Sequence, residues 1–338
     1  MKRILLPLIC FFLSVPVFAQ MMPDSTVQIC AYWQKGEKVE YECTRETTRI
    51  EPDGTSSVKD ASSEVRIFEV IDATDSSYVL QTSYRDVFDS RLNLKMDIST
   101  EIVNKISEAC VVQTLTDEFG APETVLNAEE MAITMEKVVA TVVDAVFAKC
   151  SDKELKAFSH AGMTKEMFVE NYIDLTCNPE FITAACYKDV VPLLTFHGTR
   201  LKLSEVYNSV QQYILFDGQQ VSGNMKFWVD TDESDSTFVV LRTSAVIDGE
   251  SFDEALRSAT KMALTAASRP SMSESEMNEM LEAVSGMTGS FEEYTATLIH
   301  LDTGWPVQYV AERHVRSSDS KGATVEEIVK SDINLKEE

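Results

Sequence analysis

One stretch of this chain returns, altered, about 160 residues later. Phe68-Glu-Val-Ile-Asp-Ala-Thr-Asp-Ser-Ser-Tyr-Val-Leu-Gln-Thr-Ser83 matches Phe227-Trp-Val-Asp-Thr-Asp-Glu-Ser-Asp-Ser-Thr-Phe-Val-Val-Leu-Arg-Thr-Ser244 after a small gap. Each copy reads as strand, acidic turn, strand. After an insert, each is followed by a further hairpin, residues 111–125 and 295–309. The spacing is far longer than the period of a solenoid. Two related β-units are therefore expected, either as two domains or as halves of one large sheet. Without a regular βαβ alternation, the pattern predicts an α+β fold. It is mostly antiparallel sheet, built from two related strand units with helical inserts packed on it.

Local patterns fill in that frame. Residues 38–43 alternate polar and apolar, as a half-buried strand does. Residues 65–71 and 78–84 predict strands flanking the acidic turn 72–77. Residues 207–216, 221–229, 237–247, 294–301, 307–316 and 326–333 predict the later ones. Between the units, Met131, Met135, Val138, Val139, Val142, Val146 and Phe147 recur at helical spacing, with no Gly or Pro from residue 128 to 150. Ser151-Asp152 and Thr164 are expected to cap helices over 153–158 and 165–175, and Asn178-Pro179 to open a short one. Residues 252–267 predict a helix, and Ser273-x-x-Glu276 reads as a capping box opening a Met-rich one. The expected division is a signal peptide at 1–19, a first β-unit at 20–127, a helical connection at 128–200, and a second β-unit with its helical insert at 201–338.

The N-terminus carries an address. Lys2-Arg3 precedes an apolar run from residue 4 to 18, and Val17-Phe18-Ala19 fits a signal-peptidase site. Cleavage after Ala19 and a periplasmic or secreted location are expected. Cys10 lies inside the apolar run and lacks a lipobox, so lipidation is not expected. Without the first twenty residues, 28 basic side chains face 55 acidic ones. That acidic excess opposes nucleic-acid binding, which needs a basic surface. No later apolar run is long enough for a transmembrane helix, and 44% hydrophobic residues suffice for a large core.

Six cysteines follow the signal segment: Cys30, Cys43, Cys110, Cys150, Cys177 and Cys186. Export permits disulfides, and Cys177 with Cys186, across the Asn178-Pro179 turn, is the nearest pair in sequence. Buried thiols are the alternative.

Motifs for catalysis are missing. His160, His197, His300 and His314 lack metal-ligand spacing, and each reads as a surface or core residue. There is no GxSxG, P-loop or GxGxxG. Asp230, Asp232 and Asp235 resemble a calcium loop, but Asp235 stands where the loop needs Gly and Leu241 where it needs Glu. They read as a solvated hairpin tip. No metal and no cofactor is expected, and a hydrolase would need an acid pair that nothing singles out.

Methionine is the softer signal, because flexible thioethers suit adaptable apolar surfaces. Met131, Met135 and Val139 on one helix and Met277 and Met280 in the second insert are candidate walls of an apolar cavity between helices and sheet. Ordinary core packing is the alternative.

Several motifs resemble a family of exported β-rich Bacteroidetes proteins. They are Ala19-Gln20, the Gly36-Glu-Lys-Val-Glu-Tyr41 strand, Asp117-x-x-Gly120 with Asn127-x-Glu129-Glu130, and Asp302-Thr-Gly-Trp305 before a long strand. Such proteins are similar to the lipoprotein-carrier (LolA/LolB-like) fold. The resemblance implies a curved antiparallel sheet with helices in its concavity and acyl-chain binding. This chain departs from that fold in length, in its duplicated unit and in its acidity, and no binding residue carries over. The resulting expectation is an exported, non-catalytic binding protein for an apolar or lipid-like small molecule. The alternative is a structural or interaction module with an envelope protein as partner, acting through sheet edges or the acidic hairpins.

Overall fold

The computed structural model describes residues 21–90, 110–151, 164–214, 220–267 and 284–336, apart from 23, 233 and 248, together with 103, 106, 107 and 282. The expected signal peptide, the helix over 153–158, the Ser273 capping box, Met277 and Met280 lie outside these residues.

The chain enters its sheet in the middle. After β1 (Thr26–Gln28), β2 (Lys38–Ile50) pairs with β3 (Ser56–Ala73), and β4 (Ser77–Asp89), β5 (Val112–Asp117) and β6 (Pro122–Val125) step outward to one edge. Helices α1 (Ala128–Lys149), α2 (Lys165–Thr176) and α3 (Pro179–Leu194) follow, and then β7 (Arg200–Lys202). The chain re-enters at the opposite edge with β8 (Tyr207–Ile214). It returns through β9 (Gln220–Thr231), β10 (Phe238–Ile247), helix α4 (Glu250–Ala267), β11 (Thr288–His300), β12 (Pro306–Ser318) and β13 (Thr324–Leu335). β13 then pairs antiparallel with β2, from Glu326 opposite Ile50 to Leu335 opposite Tyr41. This pairing merges both β-units into one antiparallel sheet of eleven strands, and the two repeat copies form the hairpins β3–β4 and β9–β10.

Strand alternation sorts the sheet into two faces. Tyr41, Cys43, Phe68, Val70, Leu80, Tyr309 and Ile333 are buried on the inner face beneath Val190, Leu193 and Leu194 of α3. On the same face, Val229, Leu241 and Ile299 lie under the small β1–β7 sheet. Val221, Ile247 and Phe291 lie under Phe252 and Ala255 of α4. The outer face carries exposed Tyr294, Val310 and Val210.

Local chemistry sets several boundaries. Thr164 accepts a hydrogen bond from the Met167 amide, capping α2 as expected, and Asn178 accepts one from that of Phe181, capping α3. Asn127 does otherwise: its amide side chain donates to the Val111 carbonyl and accepts from the Gln113 amide, so it pins β5. The helix after Pro179 is not short but runs sixteen residues, with Pro192 inside it. β3 begins nine residues before the apolar pattern does, because Ser56–Ala61 are held by pairing with β2.

The Cys177–Cys186 disulfide is not formed: both are free thiols. Cys177 precedes the N-cap of α3, whereas Cys186 lies about two turns into the helix. That axial rise, about 12 Å, exceeds the reach of a disulfide. Cys177 packs with Val139 and Val143, and Cys186 with Met131 and Ile182.

Candidate functional site

Helix α3 covers the inner face incompletely. Its residues Ile182, Cys186, Val190 and Leu193 are buried, while the neighbouring stripe, Ala185, Lys188, Asp189 and Pro192, borders a cavity of about 810 Å³. The register explains the space. Ser62, Arg45, Ser331 and Ala311 stand opposite one another across β3, β2, β13 and β12. One step along the same face, the positions are filled by Cys43, Ile333 and Tyr309. Three of the four are small and the fourth, Arg45, is exposed, which leaves a floor that α3 does not reach.

One wall is a buried charge network. Arg66 is only 7% exposed. Its guanidinium contacts Glu64 at 2.6 Å and Asp189 Oδ1 at 3.1 Å, and donates to the Asp189 carbonyl at 2.7 Å. The Tyr84 hydroxyl donates to Asp189 Oδ2 at 2.6 Å. Burial acts to discharge Arg66, and the Asp189 and Glu64 carboxylates outweigh it, so the guanidinium stays charged. Burial, then the Asp189 charge, pushes the Tyr84 hydroxyl far up, so it remains a donor. The network also reaches the turn of α3 that Pro192 interrupts. Pro192 has no N–H for the Lys188 carbonyl, and in this interrupted turn Arg66 holds the next carbonyl, that of Asp189.

The opposite wall is Arg313, which donates twice to Glu293 (2.6 and 2.9 Å) and lies over the Phe291 ring. Tyr309, Val329 and Ile333 supply apolar surface between the walls, and Lys188 stands exposed at the rim. The cavity is thus amphipathic, with apolar surface between two paired-charge walls.

A second, more open groove of about 770 Å³ crosses the outer face from Phe88 on β4 to Trp228 on β9, past Val310 and Tyr294. No described helix roofs it.

The sequence-based wall residues lie elsewhere. Met131 is buried with Val112, Val125, Ala132 and Ile182. Met135 meets the Cys110 thiol at 3.5 Å, and Val139 packs with Val143 and Cys177. These contacts form the seam between α1, α2, α3 and the β5–β6 edge, and none of the three borders either cavity. Sequence reasoning missed Arg66, Asp189 and the Ser62–Ser331–Ala311 row. A lone basic residue among strand alternations was the only signal for Arg66. The row depends on register and had none.

Two of the resemblance motifs, the Asp117–Gly120 and Asp302–Trp305 turns, meet at a different place. The Ala31 amide donates to Phe119 O (2.7 Å) in the Asp117–Gly120 turn, and Trp33 stacks on Trp305 at 4.2 Å. His197, wholly buried after α3, sets Nε2 2.8 Å from the Gly304 carbonyl and Nδ1 3.2 Å from that of Leu194. Burial lowers its pKa to about 4 against the pull of these carbonyls. Gly304 has φ +75°, and a Cβ there would strike the Cys30 carbonyl. These turns are a packing junction.

Other candidate chemistry is taken up locally. Asp232 accepts from the Ser234 amide and hydroxyl, and Asp235 from Thr237. The acids of the calcium-like tip therefore close their own turn. Burial pushes the Cys43 and Cys186 thiols up to about 11, which keeps them protonated at neutral pH.

No protein-family model and no curated protein sequence matches the chain. Among solved structures it is similar to lipovitellin, from a study of its lipid–protein interactions. The identity is 7% and the TM-score 0.38, over 90% of this chain and 25% of that one. The chain thus spans a quarter of lipovitellin's length. It is also similar to the outer membrane protein OpdK of Pseudomonas aeruginosa, with 6% identity and a TM-score of 0.22 over 89% of this chain and 99% of that one. A third is the COG4313 outer membrane channel of Pseudomonas putida F1, with 8% identity and a TM-score of 0.19 over 90% and 97%. Likenesses at these scores carry no argument about function. No helix among the described residues is long and apolar enough to cross a membrane.

Proposed function

We propose that this chain is an exported, non-catalytic binding protein that holds an amphipathic small molecule, with a lipid-like apolar body, between α3 and the inner face of the sheet. The observation that carries the reading is the 810 Å³ cavity, whose floor is the row Ser62, Arg45, Ser331 and Ala311, three of them small, and whose walls are satisfied charge pairs. Its size lies within the range of ordinary ligand pockets. The apolar body would rest on Tyr309, Val329 and Ile333. The ligand's polar end would meet Arg313 and Glu293, or the exposed Lys188 at the rim. Export supports the reading only through the Lys2-Arg3 and Val17–Ala19 pattern of the N-terminus.

Native mass spectrometry of protein purified gently from a periplasmic preparation tests this, beside the denatured mass. The expected result is an excess mass of small-molecule size that is lost on denaturation. Ala311→Phe, which fills the floor, is expected to remove that mass and leave the circular dichroism spectrum unchanged. Identical native and denatured masses, with no uptake of a fluorescent fatty acid, would reject the reading.

A further inference from the structure

The two edges of the sheet are guarded unequally. β6 has four residues, starts with Pro122, carries Glu123 and lies against α3. Shortness, proline, charge and cover are the devices that keep an edge strand from pairing with another chain. β8 ends the sheet on the other side without charge or proline in its eight residues, Tyr-Asn-Ser-Val-Gln-Gln-Tyr-Ile, and no described strand pairs beyond it. At about 3.4 Å per residue it offers an edge about 27 Å long. Every second residue turns its N–H and C=O away from β9. Val210 at the centre is 67% exposed, and Val206 just before the strand is exposed as well.

The sequence of this edge is a chemical palindrome about Val210. Counting outward, Ser209 mirrors Gln211, Asn208 mirrors Gln212, Tyr207 mirrors Tyr213 and Val206 mirrors Ile214. A two-fold axis through an antiparallel strand pair opposes the partners within the strand: polar with polar and tyrosine with tyrosine. Odd positions meet odd and even meet even, so the inner face of one sheet continues into the inner face of the other. A slip of one residue would invert the faces. Such self-complementarity is what an isologous interface requires.

We propose that this chain forms a two-fold homodimer by antiparallel pairing of β8 with β8 of a second copy, centred on Val210. The proposal is independent of the cavity and its ligand. The edge itself adds no like charge to such a contact. Two copies, each with a formal net charge of −25, repel one another. The eight residues of the edge are uncharged, with Lys226 opposite Asn208 on β9, while Arg200 and Lys202 of β7 are paired with Asp24 and Glu205. Salt screens that repulsion, so the dimer strengthens as ionic strength rises, the reverse of an interface built on ion pairs.

Sedimentation velocity on the mature protein, over a series of concentrations and salt levels, reads this directly. The expected result is a twofold rise in mass with concentration, reached earlier at higher salt. Val210→Lys places two like charges on the axis and is expected to leave a monomer with an unchanged circular dichroism spectrum. Register is read by crosslinking. Opposed residues have Cα atoms about 4.5–5.5 Å apart, within disulfide reach. Under mild oxidation Val210→Cys is therefore expected to crosslink two copies, above the background of the unmodified protein, and Asn208→Cys is not. A monomer at every concentration and salt level would overturn the proposal. So would a dimer that survives Val210→Lys, or Asn208→Cys crosslinking as readily as Val210→Cys.

Discussion

The C-terminal end of α3 and its middle face the same sheet and solve opposite problems. At the end, Leu193 and Leu194 join Trp33, Trp305 and His197 in a junction that is packed full, so that a Cβ on Gly304 would already collide with its neighbours. In the middle, Ala185, Lys188 and Asp189 stand over a floor of mostly small residues and leave a cavity. The junction holds neutral aromatic groups, whereas the cavity wall holds a buried cation between two carboxylates. The contrast teaches that the conspicuous motifs of the chain mark where packing is tightest. The space in which a ligand fits arises where side chains are small and unremarkable.

Four measurements break or sharpen that contrast. The largest effect is expected at the wall. Arg66→Met strands Glu64 and Asp189 without their cation, at a cost of about 3–5 kcal/mol, read by urea denaturation. It is also expected to weaken ligand retention. A loss below 1 kcal/mol by the order of a surface ion pair would mean that the network is solvated and not a wall.

The junction is expected to show itself through pH. Burial holds the His197 pKa in the folded state near 4, below the unfolded value. The unfolded chain therefore binds the proton more readily. The stability linked to this residue is full above about pH 6.5 and is lost as the pH falls toward 4, amounting to about 3 kcal/mol. His197→Gln is expected to be destabilised at neutral pH and to lack this part of the acid slope, with ligand retention intact. Equal slopes in the two proteins would place His197 in contact with water.

A smaller effect is expected at the start of the helix that serves both regions. Asn178→Ala removes the cap on the Phe181 amide, and about 1 kcal/mol is expected to be lost. Ala311→Phe is expected to alter the thermal midpoint least and ligand retention most. A large drop in its midpoint would mean that the floor has no room to spare.

Much of the fold was legible from local patterns. The hairpin over 65–84, the helix over 128–149 and the cap at Thr164 follow from alternation, helical spacing and hydroxyl chemistry that act within a few residues. The polar start of β3 was not legible, because only its pairing with β2 holds it extended. The described candidate wall residues border neither cavity for a related reason. Met131, Met135 and Val139 show an apolar helix face, and periodicity cannot tell a face that borders space from one pressed against α2, α3 and β5. Cys177 and Cys186 are close in sequence, but the helix that begins between them separates them.

By itself, then, the sequence determined the element types, the doubled hairpin, the acidic surface and the absence of recognisable catalytic motifs, since each depends on residue chemistry over short range. The joining of β13 to β2 into one sheet, the alignment of Ser62, Ser331 and Ala311 into a floor, and the meeting of Arg66 with Asp189 were decided only by the tertiary structure. Each brings together residues more than a hundred positions apart. Strand register and helix placement settle such meetings through the packing of the whole chain, which no local pattern encodes.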